Sequence, residues 1–531
     1  MNTYNRKDKN PTDTIKSIKS ILKSLNIKIK EYPVKCINNT YYSIRIEIKG
    51  FYNIGSNGKG ITKDFAKASA YAELMERLQS RMLIRNYFLN KEINKLNNQT
   101  KYNQINNLSN FYRDINEEQF DLFLHNSPDF TSLSPYINLH TNKEEMLPNK
   151  LIGAVCHSNG LCAGNSYHEA ISQGICEILE RYSYKMILKD TPILNNITID
   201  DSLECIKEIN AIKEMGLDIY IKDCTLNNTF PVLGVLIQTQ DKQKYVFCLA
   251  SDININIAIQ RCITEICQGL NSKEDLLNKM KPYNNDFDKL NIEEKRINWL
   301  KCYSSNNGVH PSYIFESNTH VNYKDLTVFE NLNTNKEVYE SLLKILKNTK
   351  NNIYLKDYSK TNFHTYRVYI PSLSEIDKLD NEDLLLLSNY NSIESLYFDL
   401  NKEISKEELM TLENIFFKLI KKEKYMFMNM GEYFHSNNYI NTKYNNITFE
   451  LFYGLLCIKN KHFDNLNNIE NTKIKDYLKN SIALDNHIDY IISSLNITPI
   501  RCDNCKTCKL KRKCSYRTWN NINKKLIEND I

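Results

Sequence analysis

The chain has 531 residues, with 69 lysines and arginines against 63 aspartates and glutamates and a formal net charge of +6. This length predicts two or three domains with a real hydrophobic core, and so small and dispersed a charge does not indicate a nucleic-acid-binding protein. The first ten residues are polar and the longest apolar run, at 449–458, is too short to span a bilayer. We therefore expect a soluble, cytoplasmic protein whose 15 cysteines are mostly reduced thiols, and no nucleic-acid or membrane partner.

Predicted strands and helices alternate along the first 380 residues. β-Branched and aromatic residues predict strands at 42–48, 218–221, 232–238, 245–250 and 366–370, and helical patterns occur at 62–83, 167–187, 203–215 and 256–270. These predict an α/β domain over residues 1–380, with the Asn-rich stretch 89–150 as an insertion-like excursion. Later helical patterns at 405–422, 447–459 and 474–494 predict a helical C-terminal region over 381–498, followed by a cysteine-rich tail over 499–531.

Glycine is concentrated in two short windows, which hold eight of the 14 glycines. The first contains Gly50, Gly55, Gly58 and Gly60, and the second contains Gly153, Gly160, Gly164 and Gly174. Glycine permits positive φ and close backbone approach, so each window predicts a loop that meets a phosphate or another backbone. A pair of tight turns is the alternative.

Each glycine window is followed by the string Glu-x-x-Glu-Arg, first at 73–77 and then at 177–181. On helices, the charged residues of each copy fall within an arc of about 100° to 120°. The first arc contains Ser69, Glu73, Glu76 and Arg77; the second contains Glu169, Glu177, Glu180 and Arg181, with Asn165 just before it; a third helix aligns Arg261, Glu265 and Gln268. Three solvated helix faces are the alternative to a shared site.

Clustered carboxylates repel a polyphosphate unless cations lie between them. Mg²⁺ prefers oxygen ligands and bridges carboxylates to phosphates, while arginine offers planar donors to phosphate. The segment Gly55–Gly60 lacks the spacing and the Ser or Thr of a Walker A motif. If ATP binds this protein, the sequence therefore predicts a carboxylate and Mg²⁺ route.

Three ordered segments resemble the ATP-binding motifs of the YcaO family. They are Asn57-Gly-Lys-Gly60 through Arg77, Ser158-Asn-Gly160-Leu-Cys-Ala-Gly164-Asn165 through Arg181, and Ala258-Ile-Gln-Arg261-Cys-Ile-Thr-Glu265. The strand Tyr366-Arg-Val-Tyr-Ile-Pro371 resembles the one that closes the family's domain. The resemblance covers about 14–380 and implies an α/β ATP-binding fold without a P-loop.

The resemblance also implies roles for individual residues. The magnesium ions and their shell would involve Glu73, Glu76, Glu169, Glu177, Glu180 and Glu265. The ATP-binding set would be Ser69, Glu73, Arg77, Asn165, Arg181 and Arg261, in which Asn165, Arg181 and Arg261 contact phosphates and Ser69 and Arg77 support the first helix. Lys7 and Thr14 would add further contacts, and Cys162 stands where a smaller residue is usual. Catalytic residues are not assigned.

Family members phosphorylate a backbone amide oxygen with ATP, which implies a peptide or protein substrate and an azoline, thioamide or amidine product. The chain's end, Glu-Asn-Asp-Ile531, lacks the proline-rich tail of azoline-forming members, so the chain most resembles stand-alone members. The alternatives are an ATP-binding accessory factor for methylthiolation of a small-subunit ribosomal protein, and a metal-stabilised binding module. A sulfur-transfer or substrate-presenting partner and a homodimer stay open.

Four cysteines near the end of the chain form a C-x2-C-x2-C-x5-C pattern. They are Cys502, Cys505, Cys508 and Cys514, and several lysines and Arg512 lie among them. Short gaps let neighbouring sulfurs converge on one metal, and nearby cations favour thiolates. The pattern predicts a zinc or Fe–S site, with a basic tail of reactive cysteines as the alternative.

Overall fold

The computed structural model describes residues 6–51, 54–80, 82, 111, 133–190, 192–284, 286–305, 308–315, 319–400, 402–422, 430, 447–483, 522 and 525–526. Within these residues, helices pack against three β-sheets. The α/β class predicted from the sequence is therefore confirmed.

The first part of the chain forms a four-stranded antiparallel sheet. Its strands are β1 (Ile29–Glu31), β2 (Lys35–Ile37), β3 (Tyr41–Ile48) and β4 (Gly55–Gly60). β3 is central, with β4 along one side and β1 and β2 along the other. The helices α1 (Pro11–Ser24) and α2 (Lys63–Gln79) pack on this sheet. Ile18, Ile46 and Leu74 are fully buried in the resulting core.

Residues from the far end of the chain return to α1. Ile522 and Leu526 are buried in the same hydrophobic cluster as Ile18 and Leu22 of α1. Lys525 Nζ donates a hydrogen bond to the carbonyl oxygen of Ser24 at 3.2 Å. The packing of α1 is therefore completed by residues about 500 positions later in the chain.

The second and third sheets enclose a long helix, α4 (Tyr167–Asp190). The third sheet has the order β6-β5-β14-β15-β7, and the second has the order β12-β11-β10-β9-β8-β13. Ile175, Ile178 and Leu179 of α4 are buried in one core with Phe247 of β11 and Val368 of β15. The remaining strands are β5 (Ser134–Asn138), β6 (Lys143–Leu147), β7 (Leu161–Gly164), β8 (Asn196–Thr198), β9 (Leu217–Asp223), β10 (Val232–Thr239), β11 (Lys244–Ser251), β12 (Lys281–Pro282), β13 (His320–Asn322), β14 (Tyr354–Asp357) and β15 (His364–Tyr369).

Helices after residue 380 have a hydrophobic core of their own, in which Leu412, Phe416 and Phe452 are fully buried. The helices following α2 are α3 (Asn149–Cys156), α4 (Tyr167–Asp190), α5 (Ile206–Glu214), α6 (Ile255–Ile266), α7 (Lys273–Lys279), α8 (Ile292–Ser305), α9 (Asn335–Asn348), α10 (Asn381–Ser388), α11 (Tyr390–Phe398), α12 (Lys406–Leu419), α13 (Phe449–Asn460) and α14 (Thr472–Ala483). None of the described helices is both long and apolar enough to cross a membrane.

Most predicted elements occur within a few residues of their predicted positions. The strand predicted at 232–238 is β10, and the helix predicted at 167–187 is α4, which ends at Asp190. The excursion predicted at 89–150 lies largely outside the described residues, but its end contributes β5 and β6 to the third sheet. Those two strands were missed because their sequences do not alternate clearly between apolar and polar residues.

Candidate functional site

Gly50 lies in a turn with a φ of +90°, but the other three glycines of the first window lie in a strand, so the loop predicted at 55–60 is wrong. Gly55–Gly60 is β4, which pairs with β3 along its length and packs directly on α2. A Cβ at Gly58 would lie 2.0 Å from the carbonyl oxygen of Ala66, and one at Gly60 would lie 2.6 Å from Phe65 Cβ. These glycines are needed because the helix approaches the strand too closely for any side chain.

The second glycine window serves several purposes. Gly153 lies within α3, and Gly160 adopts a φ of +78° in the turn before β7. A Cβ at Gly164 would meet the Ala170 backbone nitrogen at 2.8 Å, and one at Gly174 would meet Cys162 Sγ at 2.8 Å. The predicted loop is therefore limited to the turn at Gly160, and the other contacts bring α4 close to β7.

The two Glu-x-x-Glu-Arg strings lie on α2 and α4, and the structure brings them together. On α2, Arg77 Nη2 lies 3.8 Å from Glu73 Oε1 and Arg77 Nε lies 3.4 Å from Glu76 Oε1. Burial raises the pKa of the Glu76 carboxyl well above its usual range, Arg77 opposes this rise, and Glu177 of α4 adds to it. The carboxylates of the two helices therefore lie close enough to repel each other.

The string on α4 has a different set of neighbours. Arg181 Nε lies 3.7 Å from Glu180 Oε1, and the guanidinium carbon lies 5.4 Å from the centre of the Tyr303 ring of α8. Burial raises the pKa of the Glu177 carboxyl, although Arg181 lowers it. In the described residues, the buried Nε–H groups of Arg77 and Arg181 have no acceptor in hydrogen-bond geometry. Both arginines thus retain donor capacity at the site.

The third predicted helix, α6, completes the cluster. Burial lowers the pKa of Arg261, but Glu180, Asp252 and other neighbours outweigh it, so that the pKa is raised overall. Glu265 forms an ion pair with Lys59 of β4. Gln268, which was predicted on this helix, lies beyond its last residue, Ile266, because the helix ends one turn earlier than its apolar periodicity indicates.

Asn165 and Glu169 lie before and within the first turn of α4 and contact the N-terminal segment. Glu169, whose side chain is 6 % exposed, accepts from Lys7 Nζ at 3.2 Å and from the Asp8 backbone N–H at 3.2 Å. Thr14 donates to Asn165 Oδ1 at 3.0 Å, and Asn165 Nδ2 donates to Glu169 Oε2 at 3.2 Å. Residues 7–14 therefore form one wall beside the second motif.

Lys59 and Tyr303 also lie at the site, although no sequence pattern predicts a role for either. Lys59 lies inside the Asn-Gly-Lys-Gly string, and this position is a signal that the sequence offers. Tyr303 is 122 residues from Arg181 and has no motif around it, so only the tertiary structure reveals it. Ser69 is half-buried on α2, one turn before Glu73.

The described residues contain no group of three or more His, Cys, Asp or Glu side chains already arranged to hold a metal ion. Cys502, Cys505, Cys508 and Cys514 lie outside the described residues. The zinc or Fe–S site at the cysteine-rich tail therefore stays a prediction.

The fold and the site define an α/β protein in which three helices bring carboxylates and arginines together and glycines allow close strand–helix packing. The YcaO cyclodehydratase family, described as ATP- and Mg²⁺-binding, matches residues 57–374. This match covers more than half of the chain, and the chain belongs to the YcaO family.

Similar proteins include two bacterial relatives. An uncharacterised protein of Haemophilus influenzae is 24% identical over 439 residues, which cover 76% of this chain and 73% of that protein. The ribosomal protein S12 methylthiotransferase accessory factor YcaO of Escherichia coli is 25% identical over 406 residues, which cover 72% of this chain and 68% of that protein.

Solved structures with a similar arrangement include YcaO from Methanopyrus kandleri bound with AMPPCP and Mg²⁺. It is 16% identical, has a TM-score of 0.45, and the match covers 69% of this chain and 92% of that one. A heterocyclase in complex with substrate and cofactor is 15% identical and has a TM-score of 0.47. This match covers 70% of this chain and 53% of that one.

Proposed function

We propose that this protein uses ATP and Mg²⁺ to phosphorylate a backbone amide oxygen of a peptide or protein. The observation that carries the proposal is the convergence of three helices, in which Glu76, Glu177 and Glu180 lie among Arg77, Arg181 and Arg261. This arrangement occurs within the 57–374 segment that matches a family described as ATP- and Mg²⁺-binding.

The chemistry of the carboxylates suits Mg²⁺. Glu76 is buried and Glu177 is half-buried, and burial raises the pKa of both carboxyls, so a bound cation would favour their ionised forms. Mg²⁺ is usually held by one or two carboxylates together with phosphate oxygens and water, and such a site does not require a preformed cluster of three protein ligands. We assign Glu73, Glu76, Glu169, Glu177, Glu180 and Glu265 to the metal ions and their shell.

Phosphate contacts are assigned to the arginines and to the polar residues beside them. The buried Nε–H groups of Arg77 and Arg181 lack acceptors within the described part of the chain, and phosphate oxygens would supply them. Tyr303 makes a cation–π contact with the Arg181 guanidinium. Asn165 and Arg261 would bind further phosphate oxygens, and Ser69 would support Glu73 on α2.

The bound Mg²⁺ would neutralise the charge of the triphosphate, and the protein would position the reacting groups. A nucleophile adds to the amide carbon, the resulting oxyanion attacks the γ-phosphorus, and ADP leaves. Cleavage of the carbon–oxygen bond then releases phosphate. The product is an azoline, a thioamide or an amidine, according to whether the nucleophile is a side-chain thiol or hydroxyl, sulfide, or an amine.

The test compares two glutamate variants with similar surroundings. Glu180 and Glu47 each form an ion pair with an arginine, and their side chains are 13 % and 16 % exposed. We expect Glu180→Gln to abolish ATP turnover in the presence of a candidate peptide, while Glu47→Gln retains it. Unchanged ATP turnover in Glu180→Gln would contradict the site assignment. A natural protein that binds no nucleotide, together with a Glu73→Ala variant that keeps its fold and stability, would favour a metal-stabilised binding module.

A second candidate function is suggested by the name of the E. coli relative, an accessory factor of a ribosomal protein methylthiotransferase. As an accessory protein, the chain would bind and hydrolyse ATP while assisting a partner enzyme, without modifying a backbone amide itself. The two functions differ in a mass measurement: ATP turnover accompanied by a mass shift of the peptide favours the enzyme, and turnover without a shift favours the accessory role.

We also propose that residues 1–380 form the catalytic domain and that 381–498 form a helical region attached to it. The separate core around Phe416 and Phe452 supports this division. A substrate-presenting or sulfur-transfer partner would bind the assembled protein, and a homodimer stays an open proposal.

A further inference from the structure

Lys59 is half-buried beside the charged helices of the proposed site, and the proposed function gives it no role. It lies on β4 between Gly58 and Gly60, both of which face α2. Because side chains alternate along a strand, Lys59 points away from α2. Its ammonium forms an ion pair with Glu265 of α6. This pair connects the first motif segment of the site to the third, across 206 residues of sequence.

The Lys59 ammonium is surrounded by charges from all three helices. Burial lowers its pKa, Arg261 lowers it further, and Glu180 and Glu73 act in the opposite direction. These groups come from α2, α4 and α6. Under the proposed function, a bound triphosphate and its metal ion would lie beside this ammonium.

Some carboxylates of the site pair with an arginine and others pair with a lysine. Arg77 pairs with Glu73 and Glu76, and Arg181 pairs with Glu180. Glu169 and Glu265 pair with lysines instead, Glu169 with Lys7 and Glu265 with Lys59. An ammonium is a compact charge on a flexible stem, whereas guanidinium is planar and makes fixed contacts. Lysine is therefore the partner that can leave a carboxylate more easily.

We propose that Lys59 is an exchangeable counter-ion that neutralises Glu265 in the nucleotide-free protein and moves to the triphosphate when ATP binds. This inference rests on the proposed function of the site. Without ATP, a metal ion has to compete with the Lys59 ammonium for Glu265. With ATP, phosphate oxygens give Lys59 an alternative anionic partner, and Glu265 becomes available to the metal. Lys59 thereby makes metal binding depend on the nucleotide.

The test measures binding of Mn²⁺, in place of Mg²⁺, by electron paramagnetic resonance in the full-length protein. We expect Lys59→Met to bind Mn²⁺ about tenfold more tightly than the natural protein when nucleotide is absent, and to bind a non-hydrolysable ATP analogue about tenfold more weakly. The gain in Mn²⁺ affinity distinguishes this role from a structural one, since a damaged site would lose affinity for both ligands.

Lys67→Met is the matched control. Its ammonium lies 3.1 Å from Glu31, and the Lys67 and Lys59 side chains are both 32 % exposed, but the Glu31 partner belongs to β1 rather than to the site. We expect this control to leave both affinities unchanged. If Lys59→Met binds Mn²⁺ no more tightly than Lys67→Met does, the exchange is overturned.

A second variant keeps the proposal testable if Lys59→Met does not fold. Lys59→Arg retains the charge but gives Glu265 a less mobile partner. We therefore expect this variant to bind Mn²⁺ weakly both without and with the ATP analogue, whereas the analogue should increase the Mn²⁺ affinity of the natural protein. Full tightening in Lys59→Arg would overturn the exchange. A natural protein that binds neither the analogue nor Mn²⁺ with it would instead overturn the proposed function itself.

Discussion

The two Glu-x-x-Glu-Arg strings have the same spacing but lie in different surroundings. The string on α2 lies beside the first sheet, and Arg77 contacts both glutamates of its own string. The string on α4 lies on a helix enclosed by two sheets, and Arg181 contacts Glu180 and the Tyr303 ring. Identical spacing therefore does not give identical side-chain arrangements, because the neighbouring elements decide which contacts each arginine makes.

The segments before the two strings differ as well. α2 begins after Thr62, whose hydroxyl accepts from the Phe65 backbone N–H at 3.2 Å. α4 is preceded by Asn165, which contacts Thr14, and carries Glu169 in its first turn, which contacts Lys7. The α4 string is thus extended by the N-terminal segment. We infer that α4 contributes most of the affinity for ATP and that α2 mainly aligns the metal-bound phosphates.

The largest expected effect is on ATP binding, and it should differ between variants of Arg181 and of Arg77. We expect Arg181→Ala to weaken ATP binding on the order of a hundredfold, since it removes charge-assisted hydrogen bonds of about 1.5–3 kcal/mol each. Arg77→Ala should weaken binding about tenfold, because Arg77 is held by its own two glutamates. Isothermal titration calorimetry with a non-hydrolysable ATP analogue measures both values. Equal losses would show that the two strings contribute alike.

A smaller effect is expected in the pH dependence of stability, to which Glu76 of the α2 string and Glu177 of the α4 string both contribute. Burial raises the pKa of Glu76 well above the ordinary value of 4.5 and also raises that of Glu177. A carboxyl with a raised pKa in the folded protein stabilises the fold at low pH, and this contribution is lost as pH rises from 4.5 through the raised pKa. The Tm of the nucleotide-free protein should therefore fall over this range.

Glutamine variants show which string is responsible for this pH dependence. Glu76→Gln should flatten the dependence of Tm on pH more than Glu177→Gln does, because burial is the main cause of both raised pKa values and Glu76 is buried whereas Glu177 is only half-buried. Mg²⁺ with ATP should raise the Tm more at high pH than at low pH, since bound cations favour ionised carboxylates. A Tm that rises with pH in the natural protein and is unaffected by Glu76→Gln would contradict this explanation.

The smallest expected effect concerns Tyr303, whose ring contacts Arg181 of the α4 string. Tyr303→Leu should weaken ATP binding about threefold, because a partly exposed cation–π contact contributes about 0.5–1 kcal/mol. Tyr323 is the control, since its ring lies 5.3 Å from the Lys324 ammonium, a distance close to the 5.4 Å between Tyr303 and Arg181. Tyr323→Leu should leave the affinity unchanged. A similar loss in both variants would remove Tyr303 from the site.

The sequence predicted helices and strands where apolar periodicity is strong, and the three segments that resemble one family's motifs include α2, α4 and α6. It missed β4, because a glycine-rich segment indicates a loop unless the helix packed on it is known. It could not predict contacts such as Thr14 with Asn165 or Arg181 with Tyr303, since these depend on how distant elements pack. The orientation of α2 toward α4, which makes a single site from two strings, is likewise a property of the tertiary structure.

The packing of Ile522 and Leu526 on α1 has a consequence for protein synthesis. α1 carries Thr14, which contacts Asn165 before α4, and the hydrophobic packing of α1 includes these two late residues. A nascent chain on the ribosome therefore cannot finish this wall of the site until residue 526 has emerged from the exit tunnel. Truncated chains that lack Ile522 and Leu526 are therefore expected to have an incompletely packed α1 and an incomplete wall beside Asn165.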